Sequence, residues 1–324
     1  MTAIPNMDDT SIDAPVAWHY GDPFREQRLL VEGRAQVDLS HYGVVLVTGE
    51  DRLSWLNSLT SQDFLSEFVS LQALILSPQG HLEHDLHAVE DGEQTWLIVE
   101  PGTSAALTKY LTMMKFMLRV EVQDVSDDFA VVGSSGWVDS DYPTWHSSIA
   151  FGTPQEITDI YVANRPDSWQ VSQIIVPRLQ LDEFLNAQPV VGTWAWDAHR
   201  IRAGVPRLGF ESDARTIPHE LGLIAAAVHL NKGCYRGQET VAKVYNLGKP
   251  PRRLVQLQID GSTNDLPATG TPVTWNEKEI GRLTSIIQDF ENGPLGLAVV
   301  KRSVPVDAQL LVGAIAASQT PIVQ

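Results

Sequence analysis

The single cysteine of this chain, Cys234, lies in the stretch KGCYRGQET, residues 232–240, among two glycines, a lysine and an arginine. A thiolate acts as a nucleophile or a metal ligand, and neighbouring positive charge favours it over the thiol. Beyond the cysteine, Val241, Val244 and Tyr245 stand at helical spacing, which predicts a helix that starts at or just after Cys234. Because a helix N-terminus favours negative charge, the pattern predicts a reactive thiol. The alternative interpretation is a small buried residue in a tight turn.

One thiolate limits the possible chemistry. The chain has nine histidines, but none lies in a recognisable nucleophile motif, which disfavours a hydrolytic cysteine–histidine pair. A lone cysteine with scattered histidines gives no ligand spacing for a metal site, so no intrinsic metal is expected. Cys234 could still supply one ligand to a cluster or attack one electrophile. Basic residues gather near it in an acidic chain, which favours a small anionic ligand there: Lys232, Arg236, Lys243, Lys249, Arg252 and Arg253.

Charge and composition restrict the partners. The 324 residues carry 23 basic and 40 acidic side chains, a net charge of −17. This charge repels nucleic acid and anionic membranes, so neither is expected to bind directly. One cysteine excludes an intrachain disulfide, which fits a reducing compartment. The acidic start lacks the pattern of a secretory signal, and no apolar run approaches the ~18 residues of a membrane helix. We therefore expect a cytoplasmic protein in which residues 1–18 form a disordered tail.

The elements that must position these residues follow from periodicity and turn signals. The order of strand and helix patterns up to residue 133 predicts an α+β layered domain. The predicted strands are 44–49, 71–77, 81–89, 95–100, 119–125 and 129–133, and the predicted helices are 50–59 and the segment that begins at Thr103 or Ser104. A further helix is predicted at 193–204, where Thr193 can cap the start and Gly204 can close the end.

The last third of the chain changes character. Short strand-like runs follow one another without a helix between them, separated by Gly, Pro, Asn and Asp. This pattern predicts a small β-barrel at residues 249–324, after the break at Gly248 to Pro251. Residues 19–248 are then expected to form a region of two lobes, with their boundary near 134–170, where little periodicity remains.

The sequence around Cys234 resembles the signature of a known protein family. Residues 232–239, KGCYRGQE, resemble the K-G-C-Y-x-G-Q-E signature of the YgfZ family, folate-binding proteins related to the aminomethyltransferase (T-protein) of the glycine cleavage system. The resemblance covers nearly the whole chain, in segments 47–63, 80–86, 200–206, 218–223, 280–285 and 296–298. It implies a T-protein-like multi-lobed fold, with ferredoxin-like α/β layers around a central folate cleft and a C-terminal barrel. Arg202 departs from the family pattern, which usually has glutamate there.

The resemblance also implies roles for residues. Asp85 falls on the aspartate that is catalytic in the T-protein, whereas His84 replaces a preceding aspartate. Glu220 falls on the glutamate that binds the pterin ring, and a carboxylate can indeed accept two adjacent N–H groups. A solvated strand residue is the ordinary alternative for Asp85, and a first-turn helix residue is the alternative for Glu220. The expected catalytic residues are Cys234, Asp85 and Lys232, and the expected folate contacts are Glu220, Asp85, Arg236, Gln238, Glu239 and Tyr235.

Three functions remain open from the sequence. The first, implied by the resemblance, is a tetrahydrofolate-dependent accessory protein that uses Cys234 to support assembly or repair of iron–sulfur enzymes, and through them tRNA modification. Its partners would be a reduced folate and iron–sulfur enzymes or assembly proteins. The second is a true aminomethyltransferase, and Asp85 and Glu220 favour this function. The third is a non-catalytic adaptor. Whether any reaction is catalysed stays open at this point.

Overall fold

The computed structural model describes residues 2–6, 11–147, 163, 165–262 and 266–323. Within these residues the strands form two five-stranded sheets and one closed barrel of six strands. The expected α+β class and the C-terminal barrel are confirmed. The helices lie between and against the sheets: α1 (Pro23–Val31), α2 (Arg52–Leu59), α3 (Ser104–Met114), α4 (Leu181–Leu185), α5 (Thr193–Arg202), α6 (Ile224–Ala227) and α7 (Gln238–Leu247).

The first sheet is antiparallel and contains the strand on which Asp85 lies. Its order is β3-β4-β5-β2-β6, with bounds Ser70–Leu76 (β3), Leu82–Glu90 (β4), Gln94–Val99 (β5), Gly43–Thr48 (β2) and Glu121–Asp124 (β6). Most of β2, with the sequence GVVLVT, is buried, as β-branched residues favour in a covered strand. Helix α3 buries Leu107 and Leu111, which are four residues apart and so share one face.

The second sheet has the order β10-β1-β7-β9-β8. Its strands are Gln36–Asp38 (β1), Phe129–Ser135 (β7), Thr144–His146 (β8), Val171–Pro177 (β9) and Val190–Val191 (β10). The edge strand β8 joins this sheet to the first, since the indole N–H of Trp145 donates to the carbonyl oxygen of Leu71, 3.0 Å away. Helix α5 begins at Thr193, whose expected capping bond is not made, and ends before Gly204, which has a φ of +68°.

The barrel follows the 3-10 turn Pro218–Leu221 and helix α7. Its strands are Arg252–Ile259 (β11), Pro272–Trp275 (β12), Lys278–Asp289 (β13), Gly293–Lys301 (β14), Leu310–Val312 (β15) and Ile315–Pro321 (β16). Ring closure pairs β11 with both β14 and β16, so neither of its edges stays open.

The expectation of a disordered start is wrong for residues 11–18. Asp13 is 3% exposed, forms an ion pair with Arg207 and is hydrogen-bonded to the ring of His41. The amide N–H of Trp18 donates to the carbonyl oxygen of Ile4, and the N–H of Trp194 donates to the carbonyl oxygen of Trp18. The segment shows no periodicity because it is held by single long-range contacts rather than by a repeating apolar face.

Candidate functional site

A cavity lies where the two sheets meet helix α5. Its free volume is about 60 Å³, room for roughly five water molecules. Its walls combine aromatic rings with charged and amide groups: Tyr42, Trp145, Trp169 and Trp196, then Gln72, Asp85, His87, Glu100, Arg165, Gln173, Arg200 and Arg207. A flat heterocycle that carries hydrogen-bonding groups matches this lining. A pteridine ring needs more room than the present volume, so its entry requires the walls to separate.

Asp85 is the predicted site residue that lines this cavity. It lies on β4 opposite Leu74 of β3, and the side-chain amide of Gln72 donates to both of its oxygens, at 2.9 and 3.0 Å. Burial raises the pKa of the Asp85 carboxyl, although His87 and the Gln72 hydrogen bond act in the opposite direction. Such a group can accept hydrogen bonds from a ligand or hold a proton near it.

His87 forms a flat wall of the cavity. Residues two apart on a strand share a face, so His87 follows Asp85 on β4. Its ring stacks on Trp145 with centroids 3.7 Å apart and planes 3° from parallel. The ring Nδ1 lies 2.6 Å from the side-chain oxygen of Gln173, to which it donates a hydrogen bond. These contacts fix both rings in place.

Two of the three arginines in the cavity wall are fully matched by carboxylates. Arg207 contacts Glu100 and Asp13, at 2.8 and 2.9 Å. Burial alone would disfavour its charge, but these carboxylates raise the pKa of Arg207 well above its usual value. Arg200 pairs with Asp197 and Glu211.

The third arginine, Arg165, differs. Its Nη1 donates to the backbone carbonyl oxygen of Gly204 at 2.7 Å, and among the described residues no carboxylate lies within ion-pair distance of it. Burial lowers the pKa of Arg165 to about 10.

Cys234 is exposed and lies outside the cavity lining. We call residues 231–237 the thiol loop. Helix α7 begins at Gln238, four residues after the cysteine, which is farther than the sequence pattern predicts. The flanking cations Lys232 and Arg236 contact the carbonyl oxygen of Thr60 and the carboxylate of Glu83, and the Cys234 side chain is exposed to solvent.

Lys232 holds the thiol loop to the end of α2. Its ammonium donates to the carbonyl oxygens of Asn57, Thr60 and Gln62, with 2.8 Å to that of Thr60. An ammonium has three N–H donors, so all are used. Burial lowers the pKa of Lys232 to about 8. This placement gives Lys232 an anchoring contact rather than a position beside the cavity.

Three further residues fix the same loop. Tyr235 is 8% exposed and belongs to the core shared by the turn region and the barrel. Arg236 pairs with Glu83 of β4 at 2.8 Å. Gly237 has a φ of +84°, and a Cβ there would lie 2.7 Å from the carbonyl oxygen of Ser77, so no other residue fits without strain. Gln238 and Glu239 start α7, with Glu239 exposed.

Glu220 lies in the 3-10 turn Pro218–Leu221 and is 1% exposed. Its two oxygens accept from Nε and Nη2 of Arg252, at 2.9 and 2.8 Å. Neither Glu220 nor any thiol-loop residue is among the described residues that line the cavity, so the structure brings Asp85 and the other predicted site residues to different places. His84 packs near Tyr110, and burial lowers its pKa to about 4.

Gln62 connects the thiol loop with the cavity wall. Its carbonyl oxygen accepts from Lys232, while its side-chain amide donates to the carbonyl oxygens of Gln72 and Ala226, at 3.4 and 3.3 Å. Gln72 in turn holds Asp85. A continuous set of hydrogen bonds therefore runs from the loop to the cavity carboxylate.

Arg202, the departure from the family pattern, faces acidic residues instead of a ligand. It pairs with Asp167, Asp289 and Glu291, and its guanidinium lies 5.2 Å from the ring centroid of Phe290. An arginine at this position therefore binds α5 to the barrel turn after β13.

Sequence reasoning missed most of the cavity wall. Gln72 and His87 did carry a signal, because each is a polar residue that interrupts an apolar strand pattern. Arg165 carried no such signal, because the sequence around it shows no regular spacing of apolar residues. Trp196 of α5 also lines the cavity.

Within the described ranges, no group of three or more His, Cys, Asp or Glu side chains is placed to hold a metal ion. No helix among the residues that the structure describes is long and apolar enough to cross a membrane.

The family model described as CAF17, C-terminal beta-barrel domain, matches residues 252–322. The tRNA-modifying protein YgfZ of Yersinia enterocolitica is 25% identical over 289 residues, 82% of this chain and 83% of that protein. The mitochondrial iron-sulfur cluster assembly factor IBA57 homolog of Mycosarcoma maydis is 27% identical over 236 residues, 68% of this chain.

Some relatives are longer than the matched region. The chain spans 56% of the IBA57 homolog. It spans 66% of a chloroplastic candidate transferase of Arabidopsis thaliana, to which it is 26% identical over 297 residues, 83% of this chain. Among solved structures, the glycine cleavage system aminomethyltransferase T from Bartonella henselae matches with a TM-score of 0.71 and 18% identity, over 93% of this chain and 88% of that one. The fold is therefore that of the T-protein.

Proposed function

Because the chain belongs to the YgfZ family of proteins related to the aminomethyltransferase T-protein, we propose that it is a tetrahydrofolate-dependent accessory protein for iron–sulfur enzymes. In this proposal it supports the assembly or repair of their clusters and acts on tRNA modification only through them. Its partners are a reduced folate and iron–sulfur enzymes or assembly proteins. A cytoplasmic location is part of the proposal, although the named relatives include mitochondrial and chloroplastic proteins.

The observation that carries the proposal is the exposed sulfur of a firmly held loop. Lys232, Tyr235, Arg236 and Gly237 each contact a different part of the protein, whereas Cys234 faces solvent. Free cysteines are commonly buried, and a cysteine that only filled space in the core would not need a loop held by so many contacts. The arrangement supports a thiol presented to a partner, as a ligand to a cluster in transit or as a nucleophile.

The cavity residues fit a reduced folate in their chemistry. Asp85 can accept N–H groups of the ligand, and His87, Trp145 and Trp196 offer flat surfaces for a ring. Bound folate would supply a one-carbon carrier or a structural ligand. The other expected folate contacts, among them Glu220 and Arg236, stay predictions, and their placement suits holding the thiol loop and the barrel.

The decisive experiment replaces Cys234 in cells that lack the endogenous protein. Cys234→Ser is expected to keep the fold and tetrahydrofolate affinity, yet to lose support of iron–sulfur enzyme activity. Asp85→Asn is the companion variant, expected to lose folate affinity while the thiol stays available. Full support by the serine variant would remove the thiol from the mechanism.

An aminomethyltransferase is the second candidate, favoured by the position of Asp85 in the cavity. The assay is methylene transfer to tetrahydrofolate from an aminomethyl-lipoyl carrier. Turnover that Asp85→Asn abolishes and Cys234→Ser leaves intact would make this the function.

A further inference from the structure

We propose that Arg165 binds a carboxylate of the ligand that enters this cavity. The inference rests on the proposed function, in which the ligand is a reduced folate, and it assigns the acidic tail of that molecule to a named residue. The ligand class is then a planar heterocycle joined to a carboxylate.

The comparison with the other cavity arginines supports this assignment. Arg200 and Arg207 line the same cavity, and each meets at least two carboxylates of the protein. Among the described residues Arg165 meets no carboxylate, and its hydrogen bond there is to the backbone carbonyl oxygen of Gly204. Within the part of the chain that the structure describes, carboxylates of the protein therefore neutralise Arg200 and Arg207 but not Arg165.

The carboxylates that share the cavity are already engaged. Gln72 holds both oxygens of Asp85, and Arg207 holds both oxygens of Glu100. Neither lies within ion-pair distance of Arg165. Asp85 and Glu100 are the carboxylates among the described residues that line the cavity. A guanidinium taken out of water without a counter-charge is costly, and a bound ligand with a carboxylate would supply that charge.

The hydrogen-bonding capacity of Arg165 fits a carboxylate. A guanidinium has five N–H donors in a fixed plane, and Gly204 accepts from Nη1 alone. The unused donors can form the paired, parallel hydrogen bonds that arginine makes with carboxylates.

The test compares two ligands that differ in the acidic tail. Tetrahydrofolate carries the tail carboxylates, whereas 6-methyltetrahydropterin has a reduced pterin ring without them. Binding to each is measured under argon by quenching of tryptophan fluorescence, since Trp145, Trp169 and Trp196 line the cavity. The variants are Arg165→Met and Arg165→Gln, the second of which keeps a donor for Gly204. Exposed Arg215, replaced by Met, is the matched control.

We expect both Arg165 variants to lose about ten- to hundred-fold in affinity for tetrahydrofolate, the range of a charged hydrogen bond, and nothing for the pterin. Without ligand, the unfolding temperature of Arg165→Gln should not fall, because this variant keeps a donor for Gly204 and breaks no ion pair among the described residues. Equal loss for both ligands, or no loss for either, overturns the proposal while the proposed function stands. A wild-type protein that binds neither ligand overturns both.

Discussion

Glu220 and Arg252 form a two-point ion pair that joins the 3-10 turn Pro218–Leu221 to the first barrel strand. The side chain of Glu220 is 1% exposed and that of Arg252 is 27% exposed. Arg252 also contacts Asp213 at 2.6 Å, which helps hold the pKa of that carboxyl far below its usual value. One guanidinium therefore neutralises two carboxylates at the boundary between the region that holds the cavity and the barrel.

Arg252→Met should destabilise the protein by about 2–3 kcal/mol, because the buried charge of Glu220 loses its partner, with allowance for the partly exposed position. Urea unfolding measures the change. Exposed Lys249, replaced by Met, is the control and should leave stability unchanged. A variant as stable as the wild type would show that the pair adds nothing.

Asp85 of β4 and Asp91 of the turn between β4 and β5 should respond in opposite directions to substitution by asparagine. Burial raises the pKa of Asp85, so its ionised form costs stability at neutral pH, and Asp85→Asn should raise the free energy of unfolding by up to about 1 kcal/mol. The same variant should bind tetrahydrofolate about tenfold more weakly.

Asp91 is the contrasting case. Its carboxylate accepts from the indole of Trp96 and from the amides of Glu93 and Gln94, and these bonds outweigh burial and lower its pKa. Asp91→Asn should therefore cost about 1 kcal/mol after screening by solvent. Thermal unfolding of both variants checks the prediction, and a shift of the same sign in both would contradict it.

Acidification should destabilise the protein through His199. Its ring packs against Trp169, and burial lowers its pKa to about 4. Between that value and the ordinary 6.5, the unfolded chain binds the proton and the folded protein does not, so stability falls as pH falls. From pH 7 to pH 5 this histidine should account for about 1 to 2 kcal/mol. In His199→Phe the pH dependence of unfolding should be flatter by that amount, and an unchanged slope would exclude the residue as its source.

Lys232→Met should loosen the contact between the thiol loop and α2. Three carbonyl oxygens lose their donor, with an expected cost of about 1–3 kcal/mol. Amide hydrogen exchange should speed up in residues 57–62 and 231–237 and stay unchanged in the barrel. Lys243→Met, at an exposed position, is the control. Uniformly faster exchange would indicate global destabilisation instead of a local anchor.

The sequence by itself determined where most of the helices and strands lie along the chain. Helices α2, α3 and α5 and the strands of the first sheet fall where periodicity predicts them, because an apolar face repeats within a few residues of one segment. Helix α7 is also present, but it begins at Gln238, later than its pattern predicts. The barrel followed from short strands separated by turn residues. The family signature around Cys234 was likewise a local pattern.

Only the tertiary structure decided which polar groups meet. Lys232 contacts the carbonyl oxygen of Thr60, 172 residues away in sequence, and Arg207 contacts Asp13 across 194 residues. The same packing pairs Glu220 with Arg252 and places Asp85 in the wall of the cavity. The sequence pattern around a charged side chain does not indicate its partner, because the partner depends on how segments far apart in sequence pack together.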